Sequence, residues 1–93
     1  MHAVISQVRI DPSRREEARK LLGEVVVPQA KARAGFSRGT WLRSLEDDRG
    51  TSVLLFDSED TARAALEQIR QGPPPGGPST FVSADLFEVV AQA

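Results

Sequence analysis

The sequence predicts an α+β domain with four strands and two helices in the order β-α-β-β-α-β. Three observations lead there. Four short segments read as strands, helical i, i+3, i+4 spacing marks two others, and capping residues stand where each helix must begin.

Residues 3–10, AVISQVRI, read as the first strand. Val4, Ser6, Val8 and Ile10 share one face, and Ala3, Ile5, Gln7 and Arg9 share the other. β-branched side chains favour that state. Asp11-Pro12 then starts a helix: the aspartate caps free N–H groups, and proline at the first helical position needs no N–H of its own. Ala18, Leu21, Leu22, Val25 and Val26 form one apolar stripe. Gly23 costs about 1 kcal/mol in a helix interior. Pro28 is expected to kink or interrupt the helix, with residues 29–34 resuming it and Gly35 closing it at positive φ.

Residues 36–45, FSRGTWLRSL, form a second strand in which Gly39 marks a bulge or a close approach to the backbone. The polar run from Glu46 to Gly50 makes a hairpin turn into the third strand, 51–56. There Val53 and Leu55 point one way, and Leu54 and Phe56 the other. Ser58 caps the second helix, with Glu59 and Asp60 in its first turn and Ala62, Ala65, Leu66 and Ile69 on one face. GPPPGGP, 72–78, is a stiff surface loop. The last strand is placed at 80–90, with Phe81, Ser83, Asp85, Phe87 and Val89 on one face and a bulge near Asp85.

This order is the ferredoxin-like sandwich: a four-stranded antiparallel sheet with two helices on one face. All 93 residues fit a single domain. Because the third strand is apolar on both faces, helices can cover only half of it. A second copy is the expected cover, and burial of a few hundred Å² is worth several kcal/mol at about 25 cal/mol per Å². The interface candidates are Leu54, Phe56, Phe87, Glu88 and Val89, with Glu88 pairing to an arginine across the dimer.

Composition narrows the function classes. The chain has no cysteine and one histidine, so no metal-ligand spacing is recognisable, and no cofactor is expected. A net charge of -1 argues against nonspecific nucleic-acid binding. No apolar run approaches the roughly 18 residues of a membrane span, and the first residues do not read as a signal peptide. The cytoplasm is the default location. The proline-rich loop lacks the lysine and helix of a phosphate loop.

The chain resembles the dimeric α/β-barrel proteins, which include antibiotic-biosynthesis-type monooxygenases. The resemblance spans about residues 3–90. It lies in the element order, in Pro28 with Ala34-Gly35-Phe36, in Trp41, in Phe56-Asp57-Ser58-Glu59 with Ala62, and in Phe87-Glu88-Val89-Val90. It implies a homodimer with sheets packed face to face and a cavity in each subunit between sheet and helices. Some members oxygenate aromatic or polyketide-like substrates without metal or flavin, and others bind and degrade haem. The sequence departs from the catalytic members: it has no asparagine and no tyrosine, and residues 59–71 carry no histidine for a haem.

The ligand-binding candidates are Trp41, Gln7, Arg9, Arg38, Arg43 and His2. Tryptophan stacks on planar rings, though a lone tryptophan more often packs in a core or interface. The polar strand residues suit a carboxylate or enolate-like group, against a simpler role in salt bridges or at the surface. His2 titrates near neutral pH but is expected to fray at the terminus. Three readings follow. One is a homodimer binding a small apolar or aromatic ligand. Another is a cofactor-independent monooxygenase or isomerase. The third is a haem-binding protein.

Overall fold

The computed structural model describes residues Met1–Ala93. Its strands are β1 (His2–Ile10), β2 (Phe36–Arg43), β3 (Arg49–Phe56) and β4 (Ser79–Glu88). They form one antiparallel sheet in the order β2-β3-β1-β4, so the two central strands are β1 and β3. Helices α1 (Arg15–Leu21) and α2 (Val27–Lys31) belong to one helical arm, and α3 (Glu59–Arg70) is the second. The ferredoxin-like α+β fold expected from the element order is the fold observed.

Helix starts follow the capping chemistry. Asp11 Oδ1 accepts from the Ser13 N–H at 2.9 Å, and a short 3-10 turn, Pro12–Arg14, leads into α1. Ser58 Oγ accepts from the Thr61 N–H at 3.2 Å at the head of α3. Gly35 has the expected positive φ, 75°, but it does not close the helix: α2 ends at Lys31 with Ala32 as its C-cap, and the glycine turns the chain into β2.

Pro28 does not interrupt the helix. The arm passes through it by way of a π turn, Leu22–Val26, in which the Val27 N–H donates to the Leu22 carbonyl five residues back. The physical reason is local: a proline ring at 28 would strike the carbonyl four residues earlier, at Glu24, and widening the turn removes that conflict.

The core is small and lies under α3. Val4, Leu54, Phe56, Ala62, Ala65, Leu66 and Ala84 form it, with Phe36, Trp41, Ile69, Phe81 and Leu86 packed at its edge. The alanines let α3 sit close to the sheet. Phe36 meets Phe56 edge to face, with ring centroids 6.1 Å apart. Arg70 then clamps α3 to the edge strand: its Nε and Nη2 both donate to the Ala84 carbonyl, at 3.0 and 2.9 Å.

Three placements differ from the sequence reading. Leu54 and Phe56, expected at a dimer interface, face the helices and are 4% and 0% exposed. Their strand partners Val53 and Leu55 take the open face instead. In β2 the register shifts at Ser37, between Phe36 and Arg38, rather than at Gly39. In β4 the irregularity falls at Val82, opposite the Gln7/Val8 step, rather than near Asp85. Phe81 is thereby turned onto the helix side with Ala84 and Leu86.

Replacing Pro28 by Ala tests the origin of the π turn. The restored N–H is expected to return residues 22–30 to α-helical bonding and slow their amide exchange. The gain in stability is bounded by the roughly 3 kcal/mol that an internal proline costs a helix. Unchanged exchange across that segment would remove Pro28 as the cause.

Candidate functional site

Cross-strand register divides the helix-facing side of the sheet into rows. The row nearest the core is Gly39, Leu54, Val4 and Leu86. The next is Trp41, Ser52, Ser6 and Ala84, followed by Arg43, Gly50, Val8 and Phe81. Side chains on the central strands therefore shrink from Leu54 and Val4 to two serines, then to a glycine beside a valine. Ser6 and Ser52 hydrogen-bond to each other through their hydroxyls.

The helical arm above these rows does not fill the space they leave. No residue of α1 or of the π turn is buried. Leu21, Val25 and Val26 stay 38% to 40% exposed, although the sequence places them on an apolar stripe. Ala18 and Leu22 are only half-buried, as are Trp41, Ser52 and Val8 below. The arm is instead held at its ends. Ala30 of α2 is buried, Arg14 Nη1 donates to the Gly76 carbonyl at 2.9 Å, and Arg15 lies 3.4 Å from Asp48. Trp41, Ser52 and Val8 are thus left half-buried on the side of the sheet that faces the arm.

Trp41 is positioned by a missing side chain. A Cβ on Gly39 would lie 2.7 and 2.9 Å from atoms of the indole and 3.1 Å from Leu54. Of the two roles expected for Gly39, close approach is the one it plays. Trp41 is thus fixed over the backbone of its own strand, with its six-membered ring above residue 39.

The sequence-derived candidates do not converge on one site. Trp41 and Arg43 share the helix-facing side, and Arg43 is exposed with no ion-pair partner within 4.0 Å. Gln7, Arg9 and Arg38 lie on the opposite face of the sheet, where Arg9 stands across from Arg49 and Arg38 across from Leu55. His2 is not frayed. It is paired with Phe56 on one side and Glu88 on the other, and the Val89 N–H donates to the Met1 carbonyl beside it. Its Nε2 lies 3.8 Å from Glu59, while its Nδ1 is buried without a partner. Arg63 first, and His2 to a smaller degree, hold the Glu59 carboxyl below the usual carboxylate range. This cluster sits at the head of α3, on the core-proximal side of Trp41's row. Ser6 and Ser52 were missed as site residues, and their signal was a polar residue recurring on an otherwise apolar strand face.

No group of three or more His, Asp or Glu side chains stands close enough to hold a metal ion, and no helix is long and apolar enough to cross a membrane. A surface groove between α2 and α3 carries Gln29, Asp60 and Thr61 together with Arg33 and Gln68, the last two bonded to each other.

The chain matches no protein-family model and no curated protein. Its structure is similar to that of the heme-degrader MhuD from Mycobacterium tuberculosis, solved with two hemes bound in its active site. The TM-score is 0.77 at 18% sequence identity, over 100% of this chain and 99% of that one. It is also similar to an arginine-to-serine mutant of MhuD with two manganese protoporphyrin IX molecules per active site. There the TM-score is 0.75 at 19% identity, over 100% and 98% of the two chains. At these identities the likeness establishes a shared fold.

Gly39→Ala tests the seating of Trp41. The added methyl is expected to push the indole aside, shift the emission of this single tryptophan, and cost about 1–3 kcal/mol of stability on thermal unfolding. Unaltered emission and stability would show that the ring is not fixed by the glycine.

Proposed function

We propose that the protein is a homodimer that binds a planar aromatic ligand in a groove between α1 and the sheet. The observation that carries this reading is the row of small side chains on β1 and β3 beside a half-buried tryptophan, below an arm with no buried residue in α1 or the π turn. Ligand sites favour this combination of apolar walls and a few polar groups. Trp41 supplies a stacking face, and Arg43 stands at the same end of the sheet to meet an acidic substituent.

The dimer reading rests on the opposite face. Ala3, Ile5, Val53 and Leu55 form its centre, and Phe87, Leu42 and Val82 stand 48%, 54% and 52% exposed around it. Arg38 on one edge strand and Asp85 on the other let a two-fold copy set opposite charges together. Of the interface candidates, Phe87 belongs to this face. Glu88 lies across from His2 on the helix side, and Val89 follows the strand. Leu55→Asp is expected to turn a dimer into a monomer in sedimentation experiments at micromolar concentration while the fold persists. A monomeric parent protein would sink this part of the reading.

A porphyrin is the second reading. It is favoured by the fold shared with MhuD, which holds porphyrins in its active site in both of the structures compared. The groove offers the ring a face but no imidazole, since the one histidine is His2 at the other end of the sheet. A porphyrin would therefore be held by stacking.

Titration with protoporphyrin IX, with and without iron, followed by the porphyrin's own absorbance, tests both readings and can also be read in a variant that lacks the chain's one tryptophan. Stacking predicts similar affinity for both forms and about a tenfold loss in Trp41→Ala, since an aromatic pair is worth about 0.5–1.5 kcal/mol beyond its buried area. A strong preference for the iron form would show a metal ligand and overturn binding by stacking. Binding of neither would overturn the ligand site.

A further inference from the structure

We propose that one end of the sheet's open face, the side away from Trp41 and the helices, is a binding site for a phosphate-like oxyanion held between Arg9 and Arg49. The two arginines are direct cross-strand partners on the central strands, and both are exposed. The Arg49 carbonyl accepts from the Ser44 N–H at 2.9 Å, so the Arg49 backbone bonds toward β2. The Ile10 N–H donates to the Asp48 carbonyl at 2.8 Å. Arg9 and Arg49 are therefore a non-hydrogen-bonded antiparallel pair, the kind whose side chains approach most closely. Like charges directly opposite each other destabilise a sheet. The chain holds this repulsion between its two central strands.

The surroundings supply donors and little negative charge. Of the two arginines, Asp47 engages only Arg49. Its Oδ1 and Oδ2 accept from Arg49 Nε at 3.1 and 2.9 Å, and Oδ1 also accepts from the Arg49 N–H at 3.0 Å. That grip fixes the guanidinium and leaves both of its terminal nitrogens open. Arg9 has no carboxylate partner. Asp85 is the one acidic residue that the strands place on this face. It stands across from Ile5, about 13 Å from Arg9 along β1 at 3.3 Å per residue. Thr80 is the other cross-strand partner of Arg9, and the neighbouring row holds Thr51, Gln7 and Ser83, all half-buried. A tetrahedral oxyanion presents oxygens to two guanidinium groups at once, and arginine bonds such oxygens in pairs. Its charge turns one repulsion into two attractions. Ala3, Ile5, Val53 and Leu55, the centre of the dimer reading, lie at the other end of the face.

Thermal unfolding of the full chain in sodium phosphate, in glycerol 3-phosphate and in sodium chloride at equal ionic strength tests this, with Arg9→Gln as the paired variant. In chloride, Arg9→Gln is expected to melt about 1–8 °C above the wild type, because it removes a like-charge pair. Phosphate at ten times its Kd should raise the wild-type midpoint by about 5–10 °C more than the variant's. General stabilisation by phosphate acts on both proteins alike, so the difference between them is the readout. A larger rise with glycerol 3-phosphate than with phosphate assigns the site to a phosphomonoester, and an equal or smaller one to the free anion. Equal rises in wild type and variant, or none, would overturn the site. So would an Arg9→Gln protein that melts below the wild type in chloride, since Arg9 would then already be satisfied within the chain. Sedimentation of both proteins covers the remaining case: self-association lost in the variant would put a carboxylate of a second copy between the arginines and overturn the free-anion site.

Discussion

The seat of α3 on the two central strands governs the rest of the molecule. Ala62, Ala65 and Leu66 press onto Val4, Leu54 and Phe56, and these residues are half of those buried in a chain of 93 residues. Small domains have little core to spare. Close packing of α3 at one end of the sheet sets the height at which the first helical arm must pass. That arm is tied at Ala30 and at Arg14 and Arg15, and no residue of α1 or the π turn is buried. The half-buried state of Trp41 and Ser52 follows from where the core is concentrated.

Much of the fold was legible because local signals agreed. Asp11 and Ser58 head their helices, Gly35 takes the positive φ expected of it, and the alternation in β1 assigns Val4, Ser6 and Val8 to one side. What stayed hidden depended on non-local facts. Which side of β3 meets the helices is undecidable from a segment apolar on both sides, so Leu54 and Phe56 were assigned to the wrong one. Bulges at Ser37 and Val82 carry no composition of their own and are set by pairing with neighbours. Pro28 signals trouble for a helix, but whether the chain kinks or widens depends on what the arm must reach.

The candidate site was legible in part. Trp41 and Arg43 were identified from residue type, and the structure keeps them on one side of the sheet. Gln7, Arg9 and Arg38 fell away because strand alternation and register send them to the other face. Ser6 and Ser52 are 46 positions apart, and only the β1–β3 register brings them together. Serine is common and chemically modest, so its meaning comes from its surroundings rather than from its presence in the sequence.

The clamp from Arg70 to the Ala84 carbonyl bears on how copies of this protein can meet. A sheet margin with free carbonyls invites another strand to add on, and repeated addition has no natural end. Here one margin has a guanidinium laid across it and a bulge beside it, and the other carries a bulge at Ser37. Both margins are poor templates for growth. Addition of a further strand at either margin is thereby disfavoured.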